Sequence, residues 1–191
     1  MTLTRDAAYP IECALPDFPV VLSHMGSRDI EGLLRFADQL SEHDLLFLRR
    51  DIRQLEVLED WLMDIDSGDV LTILAKHEGE IVGESSVHRD SSGWSAHVAE
   101  LRVVVSEVAR GKGLGKLLTR EAMKLAERSS IEKMMARMTV DQKGAIAVFG
   151  NLGFHREALM RDHVKDLQGK SHDLVVMSCK VGDSSESLGT P

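Results

Sequence analysis

The amino-acid sequence predicts an α+β fold, and three patterns carry that expectation. Short runs rich in Val, Ile and Met recur at 70–75, 80–87, 101–105, 133–140 and 172–181, bounded by turn-forming residues in the manner of strands. Two of the gaps, His77-Glu-Gly79 and Gln168-Gly-Lys170, are short enough for hairpins, so the strands flanking them run antiparallel. Between 101 and 140 the order is instead strand, glycine turn, helix, strand, the signature of a parallel crossover. Antiparallel hairpins combined with one βαβ unit give an α+β sheet.

Taken in order, residues 1–17 hold Pro10 and Pro16 and little periodicity, which suits an extended N-terminal arm. Pro19–Ser23 is the first expected strand. Ser27 is placed to cap a helix whose apolar face is Ile30, Leu33, Leu34, Ala37 and Leu40. A second helical region is expected from Asp44 to Met63, with a break at Asp64-Ile-Asp-Ser-Gly68. Val70–Ala75 and Glu80–Val87 form the first hairpin, and Asp90-Ser-Ser-Gly93 turns into the strand Leu101–Val105. The helix after it shows Leu114, Leu117, Leu118, Ala122 and Leu125 on one face. A strand at Lys133–Val140, a short helix, and a hairpin of Phe154–Asp166 and His172–Val181 complete a domain expected over 18–181. Residues 182–191 are small and polar and are expected to be a disordered tail.

At 191 residues the chain has the length of one domain, and 43% apolar residues suffice for a sizeable core. A net charge of −8 argues against a general nucleic-acid binder and is compatible with a cationic substrate. Cys13 and Cys179 match neither a metal spacing nor a disulfide framework, which points to reducing surroundings. No run has the length of a membrane span, and the first residues lack the apolar region of a signal peptide. A cytoplasmic protein with no membrane or nucleic-acid partner is the expectation. The eight histidines show no metal-ligand spacing, so no metal is expected. His97 alone lies beside the central strand.

The chemistry is concentrated in the strand–turn–helix at 99–128. A helix start presents N–H groups with no intrahelical partner, at the positive end of the dipole, and so suits a phosphate. Gly111, Gly113 and Gly115 remove the side chains that would keep an anion from that backbone. Spacing separates the phosphate motifs. A Walker A loop ending at Gly115-Lys116 would need Gly at 110, which is Arg, and a hydroxyl at 117, which is Leu. A dinucleotide fingerprint starting at Gly111 and Gly113 would need Gly at 116, which is Lys. A nucleotide-binding protein is therefore disfavoured.

Arg110-x-x-Gly113-x-Gly115 between that strand and helix resembles the [Gln/Arg]-x-x-Gly-x-[Gly/Ala] signature of the GCN5-related N-acetyltransferases. A second segment is similar to the family's closing motif: Ala145, Ile146, Val148, Leu152, Gly153 and Phe154 match. Gln142 stands where the family usually has Asn, and Phe149 where it often has the Tyr that protonates the leaving thiolate. The resemblance spans roughly Pro19 to Val181. It implies a mixed, mostly antiparallel sheet of six to seven strands flanked by about four helices, splayed where the cofactor's pantetheine arm enters. It implies acetyl-CoA as co-substrate, with Arg110, Gly111, Lys112, Gly113, Leu114, Gly115 and Lys116 at the pyrophosphate. The backbone of Val103, Val104 and Val105 would lie along the pantetheine, and Gln142 and Phe149 nearby. A backbone N–H of the same strand, that of Val103, would meet the oxyanion.

Glu100 is the expected catalytic residue. An acid in mid-strand among Ala, Leu and Val is out of place unless paired or functional. Positions 98, 100, 102 and 104 share a face, so Glu100 either pairs with Arg102 or acts as a general base whose pKa partial burial would raise. The run AELRVVV, and LSEHDLLFLRR earlier in the chain, are similar to segments of bacterial protein-lysine acetyltransferases, where that Glu is the proposed base. The expected function is transfer of acetyl to a primary amine, on a small molecule or a protein lysine, with room for a homodimer. The alternative is a catalytically weak CoA-binding regulatory module, since Phe149 has no proton to give and the only tyrosine, Tyr9, lies in the arm.

Overall fold

A single eight-stranded sheet, in the order β1-β2-β3-β4-β5-β6-β8-β7, organises the computed structural model of the chain. The structure describes residues 2–45, 48, 51–91, 93–166 and 168–182. The elements are β1 (Ile11–Cys13), β2 (Val20–His24), α1 (Ile30–Asp38), α2 (Glu42–Leu45), α3 (Leu55–Ser67), β3 (Val70–His77), β4 (Glu80–Arg89), β5 (Val98–Val105), α4 (Leu114–Arg128), β6 (Lys133–Thr139), α5 (Lys143–Asn151), β7 (His155–Lys165) and β8 (Ser171–Lys180). Every neighbouring pair is antiparallel except β5 and β6, which α4 joins as a crossover. The α+β expectation holds, with one more strand and one more short helix than expected.

The extra strand lies in the segment read as an arm. Ile11–Cys13 pairs with Val20–Leu22, and a three-residue strand is too short for its alternation to show in a sequence. Side chains tie the arm down further: the Tyr9 hydroxyl donates to Glu121 Oε2 at 2.9 Å, and Asp6 pairs with Arg128 of α4. The extra helix comes from the region expected as one helix over Asp44–Met63. There the Asp51 carboxylate accepts both the backbone N–H and the guanidinium of Arg53, a local turn that competes with the helical ladder. α3 then runs through the expected break and stops at Gly68, whose φ of 80° is costly for any other residue. Ser27 is not the cap of α1. It lies in a short 3-10 turn, Ser27–Asp29, closed by the Asp29 carboxylate accepting the Gly26 N–H at 2.9 Å. The tail expected at 182–191 lies outside the described residues beyond Gly182.

The sheet has a core on each face. Against one face α4 and α5 pack Leu114, Leu118, Ala122, Leu125 and Phe149 onto Ile73, Val87, Ala99, Leu101, Met134 and Ala136. Gly83 of β4 is what lets α4 approach: a Cβ there would come within 3.1 Å of Leu114 and 3.2 Å of Leu118. Against the other face α1 and α3 pack Leu33, Phe36, Leu58, Trp61 and Ile65 onto Val70, Leu74 and Val104. Burying these large side chains stabilises each layer by about 1.5–3 kcal/mol per residue. It also makes the centre of the sheet a rigid platform on both sides.

Candidate active site

The glycine turn forms the cradle the sequence suggests. Gly111 and Gly113 adopt φ of 73° and 86°, the left-handed region that only glycine enters without strain. Gly113 is the N-cap of α4 and no side chain caps the helix. The first intrahelical bond runs from the Leu117 N–H to the Gly113 carbonyl at 3.0 Å, so the N–H groups of Leu114, Gly115 and Lys116 precede the ladder. Nothing lies within 4 Å of a Cβ built on Gly111, so the approach to this backbone is open. The two basic side chains of the turn are held to either side. Arg110 pairs with Asp44 of α2 at 2.6 Å, and the Lys112 ammonium lies 4.9 Å from the centroid of the Phe18 ring. Lys116 is exposed. These residues fit a polyanionic group delivered to the α4 start.

Beside the cradle the sheet splays. β5 pairs with β6 only over Val98–Glu100 against Lys133–Met135. β5 then continues to Val105 and β6 to Thr139 with no pairing between them among the described residues. Val103, Val104 and Val105 pair on their other side with Ser85, Glu84 and Gly83 of β4, which leaves their β6-facing backbone edge without a strand. An extended chain can be added to such an edge. The Val104 side chain packs under α1 and α3, and those of Val103 and Val105 pack on the α4 side.

Glu100 sits at the apex of the splay. Its side chain is 16% exposed, Arg102 Nε lies 3.3 Å from Oε1, and Arg137 Nη1 of β6 approaches Oε2 to 3.8 Å across the gap. The ion pair with Arg102 anticipated from the spacing is therefore present, beside a second guanidinium that the sequence did not signal.

The far side of the strand pairing holds residues that sequence reasoning missed. Three rows run across β3, β4 and β5 on the α1–α3 face: Val70–His88–Glu100, Thr72–Ser86–Arg102 and Leu74–Glu84–Val104. Ser86 and His88 join through a 3.0 Å Oγ···Nε2 contact, and Trp61 Nε1 donates to Thr72 Oγ1 at 3.0 Å. A cavity of about 130 Å³ opens between α3 and these rows, lined by Leu48, Ile52, Val57, Trp61, Asp64, Ser86, His88 and Arg102. Glu84 lies behind it, fully buried, and no donor meets either carboxyl oxygen at hydrogen-bonding geometry among the described residues. Burial pushes this carboxyl up to about 8, against the opposing pull of Arg102 and the Ser86 hydroxyl. The one available signal was the set of polar residues Glu84, Ser86 and His88 at alternate positions of β4, blurred by Ser85 between them.

Gln142 and Phe149 stand at and within α5. Gln142 is its N-cap, and its Oε1 accepts the Thr139 N–H at 3.3 Å. Phe149 is 7% exposed and meets Phe154 edge-on at 4.9 Å. Tyr9 is committed to Glu121, and burial together with that carboxylate raises its pKa above the ordinary phenol range. His97 contributes its backbone: the carbonyl accepts the N–H groups of Glu132 and Lys133, locking the start of β5 to that of β6. Helix α2, which lies in the LSEHDLLFLRR stretch but whose contacts the sequence did not name, bridges the cleft region through three successive residues. Glu42 accepts from Gln168, His43 meets Asp141 at 2.7 Å, and Asp44 holds Arg110. Although partial burial works to raise it, hydrogen bonds from Ser41 and Arg110 keep the Asp44 carboxyl below its usual range.

A crossover helix with an uncapped, glycine-led start thus stands beside a splay in a mostly antiparallel sheet. Residues 36–154 match the model of the acetyltransferase (GNAT) family, more than half of the chain, and the chain belongs to that family. It is 34% identical over 90 residues to the N-alpha-acetyltransferase MAK3 of Arabidopsis thaliana, a match covering 45% of each protein. The chain spans about half the length of the curated relatives it matches. Among solved structures it shares the fold of the GNAT domain of S. lividans PAT, with a TM-score of 0.77 and 18% identity over 93% of this chain and 99% of that one. It shares it also with a GNAT superfamily phosphinothricin acetyltransferase from Sinorhizobium meliloti in complex with AcCoA, with a TM-score of 0.73 and 20% identity over 90% and 93%. Among the described residues no helix is long and apolar enough to cross a membrane, and no group of three or more His, Cys, Asp or Glu is arranged to hold a metal ion.

Proposed function

We propose that the chain transfers the acetyl group of acetyl-CoA to a primary amine, with Glu100 as general base. The observation that carries this reading is the juxtaposition of the uncapped α4 start, the open β5 edge and a carboxylate at the apex of the splay. The backbone N–H groups of Leu114, Gly115 and Lys116 would hold the pyrophosphate. The edge at Val103–Val105 would take the pantetheine as an added strand. The thioester then arrives near Glu100, on the face that holds the cavity. Glu100 takes one proton from the acceptor ammonium, directly or through a water, and the free amine attacks the thioester carbonyl. A strand N–H such as that of Val103 stabilises the oxyanion, the C–S bond breaks, and the second amine proton goes to the thiolate through solvent.

That last step bears on the alternative reading, a CoA-binding regulatory module. Phe149, buried edge-on against Phe154, supplies no proton, which favours the module if proton delivery is indispensable. A thiolate of this type leaves readily, so a solvent route keeps catalysis intact. Thiol release from acetyl-CoA with a panel of amines separates the two readings. Release that depends on both substrates supports the transferase, and saturable CoA binding with no amine-dependent release supports the module.

A further inference from the structure

We propose that the outer edge of β7 is a twofold interface between two copies of this chain, centred on Leu159, an inference that does not depend on the acetyltransferase reading. β7 is the last strand of the sheet, with β8 on one side and no strand on the other among the described residues. None of its residues is buried, and nine of the 11 are exposed. A strand covered on neither face and open along one edge is a template for another strand. At its centre Leu159 is 52% exposed, and Val140, just past β6, is 42% exposed. With Ala158 and Val175 they line an open hollow beside the strand.

The charges of β7 name a second copy as the partner. An isologous antiparallel pair sets each residue opposite the one equally far beyond the dyad. With the dyad at Leu159, Arg156 faces the partner's Asp162, Glu157 faces the partner's Arg161, and Ala158 faces the partner's Met160. Symmetry makes this four opposite-charge pairs around an apolar centre, a small core with a polar rim. A slip of one residue destroys the match in either direction. One slip sets Arg156 against the partner's Arg161, and the other sets Glu157 against the partner's Asp162. An edge guarded against pairing by charge of one sign repels a second copy. Here the two signs are ordered so that copies attract in one register and repel in its neighbours.

The groups this pairing needs are not spent within the chain. Among the described residues Arg156 and Arg161 enter no ion pair, and Asp162 engages Asp173 through its backbone N–H, at 2.9 Å from Oδ1, and not through its carboxylate. Glu157 meets Lys133 at 2.6 Å and Ser178 at 2.8 Å, both through Oε1, so Oε2 is left for the partner's arginine. The register of β7 against β8 slips between Arg156 and Ala158 and again between Met160 and Val164. Ala158–Met160 is thus the regular stretch on which a ladder with the second copy forms, and the charged pairs beyond it meet through their side chains.

The test is sedimentation velocity of the full chain from nanomolar to micromolar concentration, with circular dichroism and melting temperature recorded for every variant. The expected result is a concentration-dependent monomer–dimer equilibrium for the wild type. Arg156→Asp alone and Asp162→Lys alone should each raise the dissociation constant by at least about tenfold, since two symmetric pairs become like-charged. An equimolar mixture of the two variants should return to dimer, because each contact then again joins opposite charges. If Asp162→Lys does not fold, Arg161→Glu mixed with Glu157→Lys makes the same comparison at the adjoining pair. A wild type that stays monomeric overturns the assignment. So does a dimer that both variants leave intact, and so do variants that are monomeric alone and stay so when mixed. Each of these outcomes leaves the acetyltransferase reading where it was, since no substituted residue belongs to the candidate active site.

Discussion

Glu84→Gln isolates the energetic cost of the carboxyl behind the cavity. In the folded protein this group is fully buried among Leu74, Val104 and the α1–α3 layer, and it stays protonated up to about 8 instead of its ordinary 4.5. Above 4.5 the unfolded chain has lost that proton and the folded chain still holds it. Stability therefore falls as pH rises through this window, by about 1.4 kcal/mol per pH unit from this group alone. Glutamine keeps the shape and carries no titrating proton, so the variant escapes the penalty. Urea unfolding followed by tryptophan fluorescence should find the two proteins similar at pH 5. By pH 8 the variant should be the more stable by about 4 kcal/mol, equivalent to about 10 °C in melting temperature for a domain of this size. A stability difference that stays constant from pH 5 to pH 8 would refute the reasoning and mean that Glu84 finds a donor in solution.

Two further outcomes follow from the cofactor side. Acetyl-CoA at a hundredfold excess over its dissociation constant should stabilise the protein by about 2.7 kcal/mol, and Gly113→Val should abolish that shift in a thermal-melt assay. The branched side chain is strained at a φ of 86° and stands over the helix start, so an unchanged shift would put the phosphates elsewhere. Phe149→Tyr places a hydroxyl in a packed, edge-on ring pair and should cost about 1–3 kcal/mol of stability by chemical denaturation. Its turnover rises only if proton delivery to the thiolate limits the rate, and a flat rate shows that solvent already suffices.

The cradle and the apex were legible because their chemistry is local. Glycines at fixed offsets between a strand and an amphipathic helix can be read directly, and period-two alternation puts Glu100 and Arg102 on one face without any tertiary knowledge. Arg137 was invisible because its approach to Glu100 depends on how far β6 diverges from β5, which no local pattern encodes. The α2 bridge was hidden for a similar reason: its partners Arg110, Asp141 and Gln168 are brought to it by the sheet. The alternate residues Glu84, Ser86 and His88 share one face of β4, but Ser85 between the first two blurs the contrast with apolar neighbours that would have marked that face. Its meaning needed the register that sets it beside Arg102 and Glu100. The split between α2 and α3 turned on a side chain, Asp51, capturing the backbone of Arg53, a competition that apolar periodicity does not report.

The central claim is that Glu100 removes the acceptor's proton in an acetyl transfer, and Glu100→Gln tests it most directly. Acetyl-CoA affinity and the amine-dependent rate of thiol release are to be measured across pH on the same variant. The account predicts unchanged acetyl-CoA affinity, since the α4 start is not built from this side chain, and a rate lower by about 10²–10⁴ near neutral pH. The deficit should narrow as pH rises and the amine deprotonates unaided. A variant that turns over at the wild-type rate, showing only the loss of stability that removing one partner of a largely buried ion pair brings, would contradict the account.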